Sequence, residues 1–269
     1  MKVTEINIYP IKSTRRIALQ QSAVLPRGLP WDRRWMLVDA GGGFITARQY
    51  PRLTMVQTAF KDDVLQVSVE GRRNLQLPVQ PPELRITSVT VWQDTCDAAL
   101  AGAEADAWFS DYLGFSCRLV QMTDELVRTV DPDYGQAGDE VSFADGFPLL
   151  LISEASLNDL NGRLQPPVSM RRFRPNLVVD GEGAYQEDHW QRIRVGDVEF
   201  AGVKNCSRCV FTTIDPDTGV KDPHKEPLRT LSSYRRQPQG GVYFGQNLIP
   251  RSWGVIHVGD RVEILDQVV

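Results

Sequence analysis

Leu65-Gln66-Val67-Ser68-Val69-Glu70 alternates apolar with polar side chains and breaks at Gly71-Arg72-Arg73. A period of two places Leu65, Val67 and Val69 on one face, as in a strand with one wet side. The same alternation recurs at Val89 and Val91, at Val198, Phe200 and Gly202, and at Val262 and Ile264. Met36-Leu37-Val38-Asp39 and Phe44-Ile45-Thr46 flank Gly41-Gly42-Gly43 as the arms of a hairpin. Val-Gly-Asp occurs at Val195 and again at Val258, each time before an alternating run, which predicts two hairpins of similar design. Helical spacing is confined to residues 102–113 and 153–164, the second opening on Ser153 as N-cap with Glu154 in its first turn. The pattern predicts a mainly β protein with a few helices, closed into barrels that remove exposed edges. A boundary between Cys117 and Asp124 divides it into residues 1–120 and 121–269.

Thirty Lys and Arg against 34 Asp and Glu leave 269 residues with a net charge of −4, which argues against non-specific nucleic-acid binding. No apolar run much exceeds residues 147–152, too short for a membrane span or a secretory core segment. Four cysteines, Cys96, Cys117, Cys206 and Cys209, are too few for a disulfide framework in a chain of this length. These features predict a cytoplasmic protein.

Chemistry concentrates at Cys206-Ser207-Arg208-Cys209. A zinc site needs two further ligands, and no second Cys-x-x-Cys exists; His224 supplies one at most. A redox dithiol belongs at a helix N-terminus, whereas Val210-Phe211-Thr212-Thr213-Ile214 reads as a strand. A third reading gives one thiolate to a metal whose other ligands come from a cofactor, and a fourth buries both thiols as small hydrophobes. An extended backbone sets residues three apart on opposite faces, so the two thiols are not expected to share a metal. Arg208 beside a thiol favours the thiolate and can hold an anion. Lys12 and Ser13 end the first strand, Arg33 opens another, Arg48 follows the hairpin, and Arg171-Arg172-Phe173-Arg174-Pro175-Asn176 packs three arginines around a rigid turn. Each alone reads as a solvated charge; Lys12, Arg48, Arg174 and Arg208 on one cleft would make an anion pocket. His257, set among Val255, Ile256 and Val258, reads as a structural histidine, and Asp215-Pro216-Asp217-Thr218-Gly219 as a tight turn. No nucleophile elbow, phosphate-binding loop or dinucleotide fingerprint is present.

The run from Asn205 through Cys206-Ser207-Arg208-Cys209 to Gly219 resembles the core of the MOSC domain, named for molybdenum cofactor sulfurase C-terminal regions. Tyr9-Pro10-Ile11-Lys12-Ser13, Thr46-Ala47-Arg48-Gln49-Tyr50-Pro51-Arg52-Leu53, Arg172-Phe173-Arg174-Pro175-Asn176, Lys225-Glu226-Pro227-Leu228 and Phe244-Gly245-Gln246 are similar to further motifs of that family. Within it the chain resembles the mitochondrial amidoxime-reducing components and the bacterial N-hydroxylated-base reductases. The resemblance implies an N-terminal MOSC-associated β-barrel domain, a MOSC β-barrel domain, and a molybdenum cofactor (Mo-molybdopterin) at their junction. It assigns the metal-binding thiolate and catalytic position to Cys209. It carries cofactor contacts over to Lys12, Ser13, Arg33, Arg48, Ser153, Arg174, Asn176, Ser207, Arg208 and Asn247, the last standing where animal relatives have tyrosine. The implied reaction is two-electron reduction of N-hydroxylated compounds, with oxygen leaving as water; the alternative is a cofactor carrier or sulfur-transfer module without turnover. The cysteine pattern of a plant-type iron–sulfur site is missing. The implied partners are a small N-hydroxylated substrate and a separate iron–sulfur, flavin or cytochrome donor, with no nucleic acid and no membrane.

Overall fold

The computed structural model describes residues 1–81, 83–238 and 240–268. Strand Val64–Ser68 buries Leu65 and Val67 and pairs antiparallel with Gln57–Lys61 and Leu75–Pro78, as its alternation requires. A five-stranded sheet runs in the order Phe44–Ile45, Trp35–Val38, Arg118–Gln121, Asp94–Leu100, Ile86–Val91. The predicted glycine hairpin joins its first two strands, with Asp39 Oδ1 accepting from the amides of Gly41 and Gly43. Helix Ala103–Leu113 closes one side of this half, burying Ala105, Phe109, Tyr112 and Leu113 against Leu65, Leu75 and Leu119.

The second half is an eight-stranded sheet curled into a half-barrel, ordered Val262–Gln267, Trp190–Val195, Val198–Ser207, Tyr243–Pro250, Leu149–Ser153, Leu177–Val179, Val3–Ile8, Ile17–Leu19. Its last two strands come from the N-terminus, and Gln21–Val24 pairs with Gly254–His257. Hydrogen bonding therefore does not follow the linear division of the chain. Trp31 stacks on Trp35 at 5.9 Å and lies 5.8 Å from Phe60, touching the cores of both halves. No helix among the described residues is long and apolar enough to cross a membrane.

Several local expectations change. Val210–Thr213 is a 3-10 helix, not a strand: the Thr212 and Thr213 hydroxyls donate back to the carbonyls of Cys209 and Val210 and tighten the turn. The second predicted helix is shorter, Glu154–Asn161, and a third, Leu228–Tyr234, lacks enough turns for its period to stand out. Val195-Gly196-Asp197 turns a hairpin, whereas Val258-Gly259-Asp260 does not, because Gly254–His257 pairs with Gln21–Val24 instead of with the strand that follows. His257 is exposed, with Nδ1 3.6 Å from Asp260, rather than a buried structural group.

Ser153 is the N-cap of its helix, accepting from the Ser156 amide at 3.1 Å. Its hydroxyl also donates to the buried carboxylate of Glu187 at 2.9 Å, which takes a further bond from Ser156. Gly245 meets a different demand. Its φ is +84°, and a Cβ there would stand 2.6 Å from Ile152 Cγ1 and 2.8 Å from the Leu151 carbonyl.

Gly245→Ala is expected to cost about 2–4 kcal/mol, combining left-handed strain with overpacking; an unchanged urea midpoint would show that strand Tyr243–Pro250 can move off Ile152. Ser153→Ala should cost roughly 1–3 kcal/mol from the lost cap and the weakened Glu187 cluster. Burial pushes the Glu187 carboxyl up from its ordinary value, so its stabilisation is complete below the usual carboxylate range and declines as pH rises through the raised value. Glu187→Gln should therefore gain stability relative to the parent as pH rises toward neutrality; parallel pH–stability curves would contradict this.

Candidate functional site

The first strand ends at Ile8, and the turn after it is knitted to a second turn by backbone bonds. Arg33 N donates to Tyr9 O, Trp35 N to Pro10 O and Lys12 N to Trp35 O, at 2.9, 3.0 and 2.7 Å. Asp32 secures the same turn by accepting from Tyr9 N at 2.8 Å. Ser13, at φ +76°, presents its hydroxyl to the Ala47 amide at 3.1 Å, which draws the loop carrying Arg48 onto the turn. Across the junction, Asn176 pairs with Asn7: Asn7 N donates to Asn176 O at 2.8 Å and Asn176 Nδ2 to Asn7 O at 3.0 Å.

These elements surround a cleft of about 150 Å³ at the junction of the halves. Lys12, Ser13, Arg33, Arg48, Arg174, Asn176, Ser207, Arg208, Cys209 and Asn247 all line it. Ten of the eleven residues named from the sequence thus meet in one place, and the four cations Lys12, Arg48, Arg174 and Arg208 share it. Ser153 is the exception: its hydroxyl is committed to Glu187, away from the lining.

The cleft's six cationic side chains, Lys12, Arg33, Arg48, Arg172, Arg174 and Arg208, face one lining carboxylate, Asp145. Lys12 Nζ donates to Asp145 Oδ1 at 2.5 Å and to Phe143 O at 2.7 Å. Burial pushes the Lys12 ammonium down, while Asp145 opposes it. Lys12, with Arg48 beyond, holds the Asp145 carboxyl well below the usual range. The Asp145 side chain is 60% exposed, so solvent screens this pair. Arg33 is held by Asp32 at 2.5 Å and by Asn176 Oδ1 at 2.9 Å. Arg172 reaches Asp215 at 3.2 Å. Asn176 therefore spends its amide on orienting Arg33 and bridging strands.

Three arginines lack such neutralisation. Among the described residues, Arg48, Arg174 and Arg208 form no ion pair with a carboxylate. Arg48 packs on two adjoining aromatic rings, 4.3 Å from Trp92 and 5.3 Å from Phe44. Arg174 stacks 4.0 Å from Tyr9 and donates to Thr14 O at 2.6 Å; burial pushes it down to about 10. Arg208 donates from Nε to Phe244 O and from Nη1 to Phe173 O, at 2.8 and 3.1 Å. Its Nη2 is buried with no partner, a costly arrangement that an anion in the cleft would relieve.

The two thiols are distinguished by position. Cys206 is in strand Val198–Ser207 and packs against Leu150, Ile152, Phe173 and Phe244; burial pushes its thiol up, against the thiolate. Cys209 is beyond the strand, as the N-cap of the 3-10 helix. Both line the cleft, because the strand ends at Ser207 and the alternation that would have separated them ends with it. Among the described residues, no three His, Cys, Asp or Glu side chains gather as metal ligands. The arrangement offers two thiols, Cys206 within the strand and Cys209 just beyond it, together with a positively charged wall.

Sequence reasoning missed Asp145, Trp92 and Phe147. Asp145 lies 133 positions from Lys12 with no pattern linking them. Trp92 sits at a hairpin tip with φ +59°, a conformation rare for a bulky residue, so its type gave no hint of a turn. Phe147 begins the longest apolar run, a signal whose bearing on the cleft emerges only from the fold.

Residues 1–116 match the MOSC N-terminal beta barrel domain and residues 138–263 match the MOSC domain. The chain is 37% identical to mitochondrial amidoxime-reducing component 1 of Mus musculus, over 98% of this chain and 82% of that protein. It is 38% identical to component 2 of Rattus norvegicus, over 97% and 82%, and 35% identical to component 1 of Homo sapiens, over 98% and 83%. With both domains matched in order and similarity spanning nearly its whole length, the chain belongs to the family of two-domain MOSC proteins that includes the mitochondrial amidoxime-reducing components.

Proposed function

We propose that the protein is a molybdenum-cofactor-dependent reductase of N-hydroxylated compounds, converting amidoximes, hydroxylamines or N-hydroxylated bases to amidines or amines. The observation that carries this reading is the meeting of Cys209 with the unpartnered Arg208 Nη2 in one cationic cleft. A thiolate is a soft ligand suited to molybdenum bound through sulfur, and guanidinium groups suit a phosphate. The similarity to amidoxime-reducing components supports the reaction class.

When bound, the cofactor supplies two-electron redox chemistry that no side chain of this cleft possesses. Cys209 would provide the thiolate ligand. Arg208, Arg174, Arg48 and Lys12 would hold the phosphate and compensate its charge, while Ser207 and Asn247 contribute uncharged hydrogen-bonding groups from neighbouring strands. Asn176 acts through Arg33, whose guanidinium it orients. Phe147, Leu149, Phe173 and Phe211 form apolar wall that limits water in the cleft. Electrons would arrive from a separate donor protein.

Turnover of benzamidoxime or 6-hydroxylaminopurine with a chemical reductant tests the reading directly. Cys209→Ala or Cys209→Ser should abolish activity normalised to bound pterin, whereas Cys206→Ser should retain a substantial part of it. Equal loss in both would favour a dithiol, and the reverse pattern would transfer the ligand role to Cys206. Arg208→Ala should lower pterin content roughly tenfold or more under limiting cofactor, given typical charge-assisted bond strengths; full occupancy in that variant would contradict the assignment.

A further inference from the structure

A second cavity, of about 240 Å³, shares Arg172, Arg174 and Phe211 with the cleft and otherwise has its own walls. Five guanidinium groups line it: Arg15, Arg16, Arg171, Arg172 and Arg174. Among the described residues, no carboxylate does. Arg16 pairs with Glu5, Arg172 with Asp215, and Arg171 with both oxygens of Asp217. Arg15 reaches the same Asp217 only at 3.4 Å, and Arg174 meets no carboxylate among the described residues. Three carboxylates thus serve five cations.

Two further atoms of this wall lack partners. Arg15 Nε and Thr58 Oγ1 are buried without a hydrogen bond, and they come from separate segments of the chain. The cavity thus combines a surplus of positive charge with two unsatisfied polar groups. The guanidinium groups come from two segments far apart in sequence, Arg15 and Arg16 after the first strand, and Arg171, Arg172 and Arg174 in and just beyond the 3-10 turn Met170–Arg172. A carboxylate accepts in one plane, whereas a tetrahedral oxyanion presents acceptors in several directions at once. Tyr9, Phe211, Ile214 and Pro216 add an apolar wall beside the cationic one.

We propose that this cavity is a second oxyanion site, distinct from the thiol-bearing cleft, that takes a phosphate group as inorganic phosphate or on a small phosphomonoester. Arg174 borders both sites, but Arg15, Arg16, Arg171 and Thr58 line this cavity and not the cleft, so substitutions at Arg15 and Thr58 test it separately from the cofactor reading.

Isothermal titration of the full chain with inorganic phosphate and with phenyl phosphate, at ionic strength matched with chloride, tests it, with pterin content measured in each sample. Saturable binding is expected, weakened about tenfold or more by Arg15→Gln and a few-fold by Thr58→Val, with pterin content unchanged. Tighter binding of phenyl phosphate assigns the apolar wall to an organic ester; equal binding assigns the site to free phosphate. Should Arg15→Gln fail to give the parental melting curve, Thr58→Val decides. Absence of saturable heat, wild-type affinity in a folded Arg15→Gln protein, or loss confined to Arg208→Ala overturns the proposal, the last because it puts the anion in the cleft. A chain that binds phosphate through Arg15 yet retains no pterin would sink the cofactor reading and leave this one standing.

Discussion

The site depends on one crossing of the chain, in which Asn7 and Asn176 bind each other across the seam between strands Val3–Ile8 and Leu177–Val179. Asn176 is 1% exposed, and its carboxamide makes three hydrogen bonds, accepting from Leu150 N and Arg33 Nη1 while donating to Asn7 O. A buried amide leaves little freedom: a slip of one residue in this pairing would strand its donors and acceptors at a cost of about 1–3 kcal/mol each. The pairing thereby sets where Tyr9 to Ser13 emerge on one side and where Arg174 emerges on the other. Lys12, Ser13, Arg33 and Arg174 follow from that placement.

The same crossing makes the two halves of the chain inseparable in space. The N-terminal strands complete the sheet of the C-terminal half, and Trp31 and Phe60 then pack into both cores. A cleft built from segments this far apart in sequence needs rigid support on both walls, because reactive groups must be held to a fraction of an ångström. Loops alone would not provide it. Here the Arg48 loop is fixed by Ser13, the Arg208 side chain by two carbonyls, and Lys12 by the Phe143 carbonyl.

Legibility followed the range of the interaction. Leu65 and Val67 announce their strand because burial on alternate positions is a local property, and the glycine hairpin is legible for the same reason. The cations of the cleft are visible as residue types, and their convergence was anticipated through family motifs, since no periodicity connects Lys12 with Arg174 or Arg208. Misreadings arose where side chains bond their own backbone. Val210 and Ile214 are β-branched and suggest a strand, yet the Thr212 and Thr213 hydroxyls bind carbonyls three residues back and wind the segment into a 3-10 turn. Ser153 shows the complementary case: one hydroxyl cannot both cap a helix for Glu187's cluster and reach across to the cleft. The motif position is occupied, but its chemistry is spent on the fold.

The distribution of charge gives the cleft its character. A chain with a net charge of −4 has enough carboxylates to neutralise every arginine at the junction, as it does for Arg33 with Asp32 and for Arg172 with Asp215. At Arg48, Arg174 and Arg208 it uses aromatic faces and carbonyl oxygens instead. Those partners fix the position of a guanidinium without cancelling its charge. Burial lowers Arg174 to about 10, since desolvation acts against its charged form. An anion held there by the native state alone would add RT ln(1 + [L]/Kd) to stability, linking binding to folding. Stacked on rings and bonded to carbonyl oxygens, these guanidinium groups leave the wall of the cleft positively charged and suited to an anion.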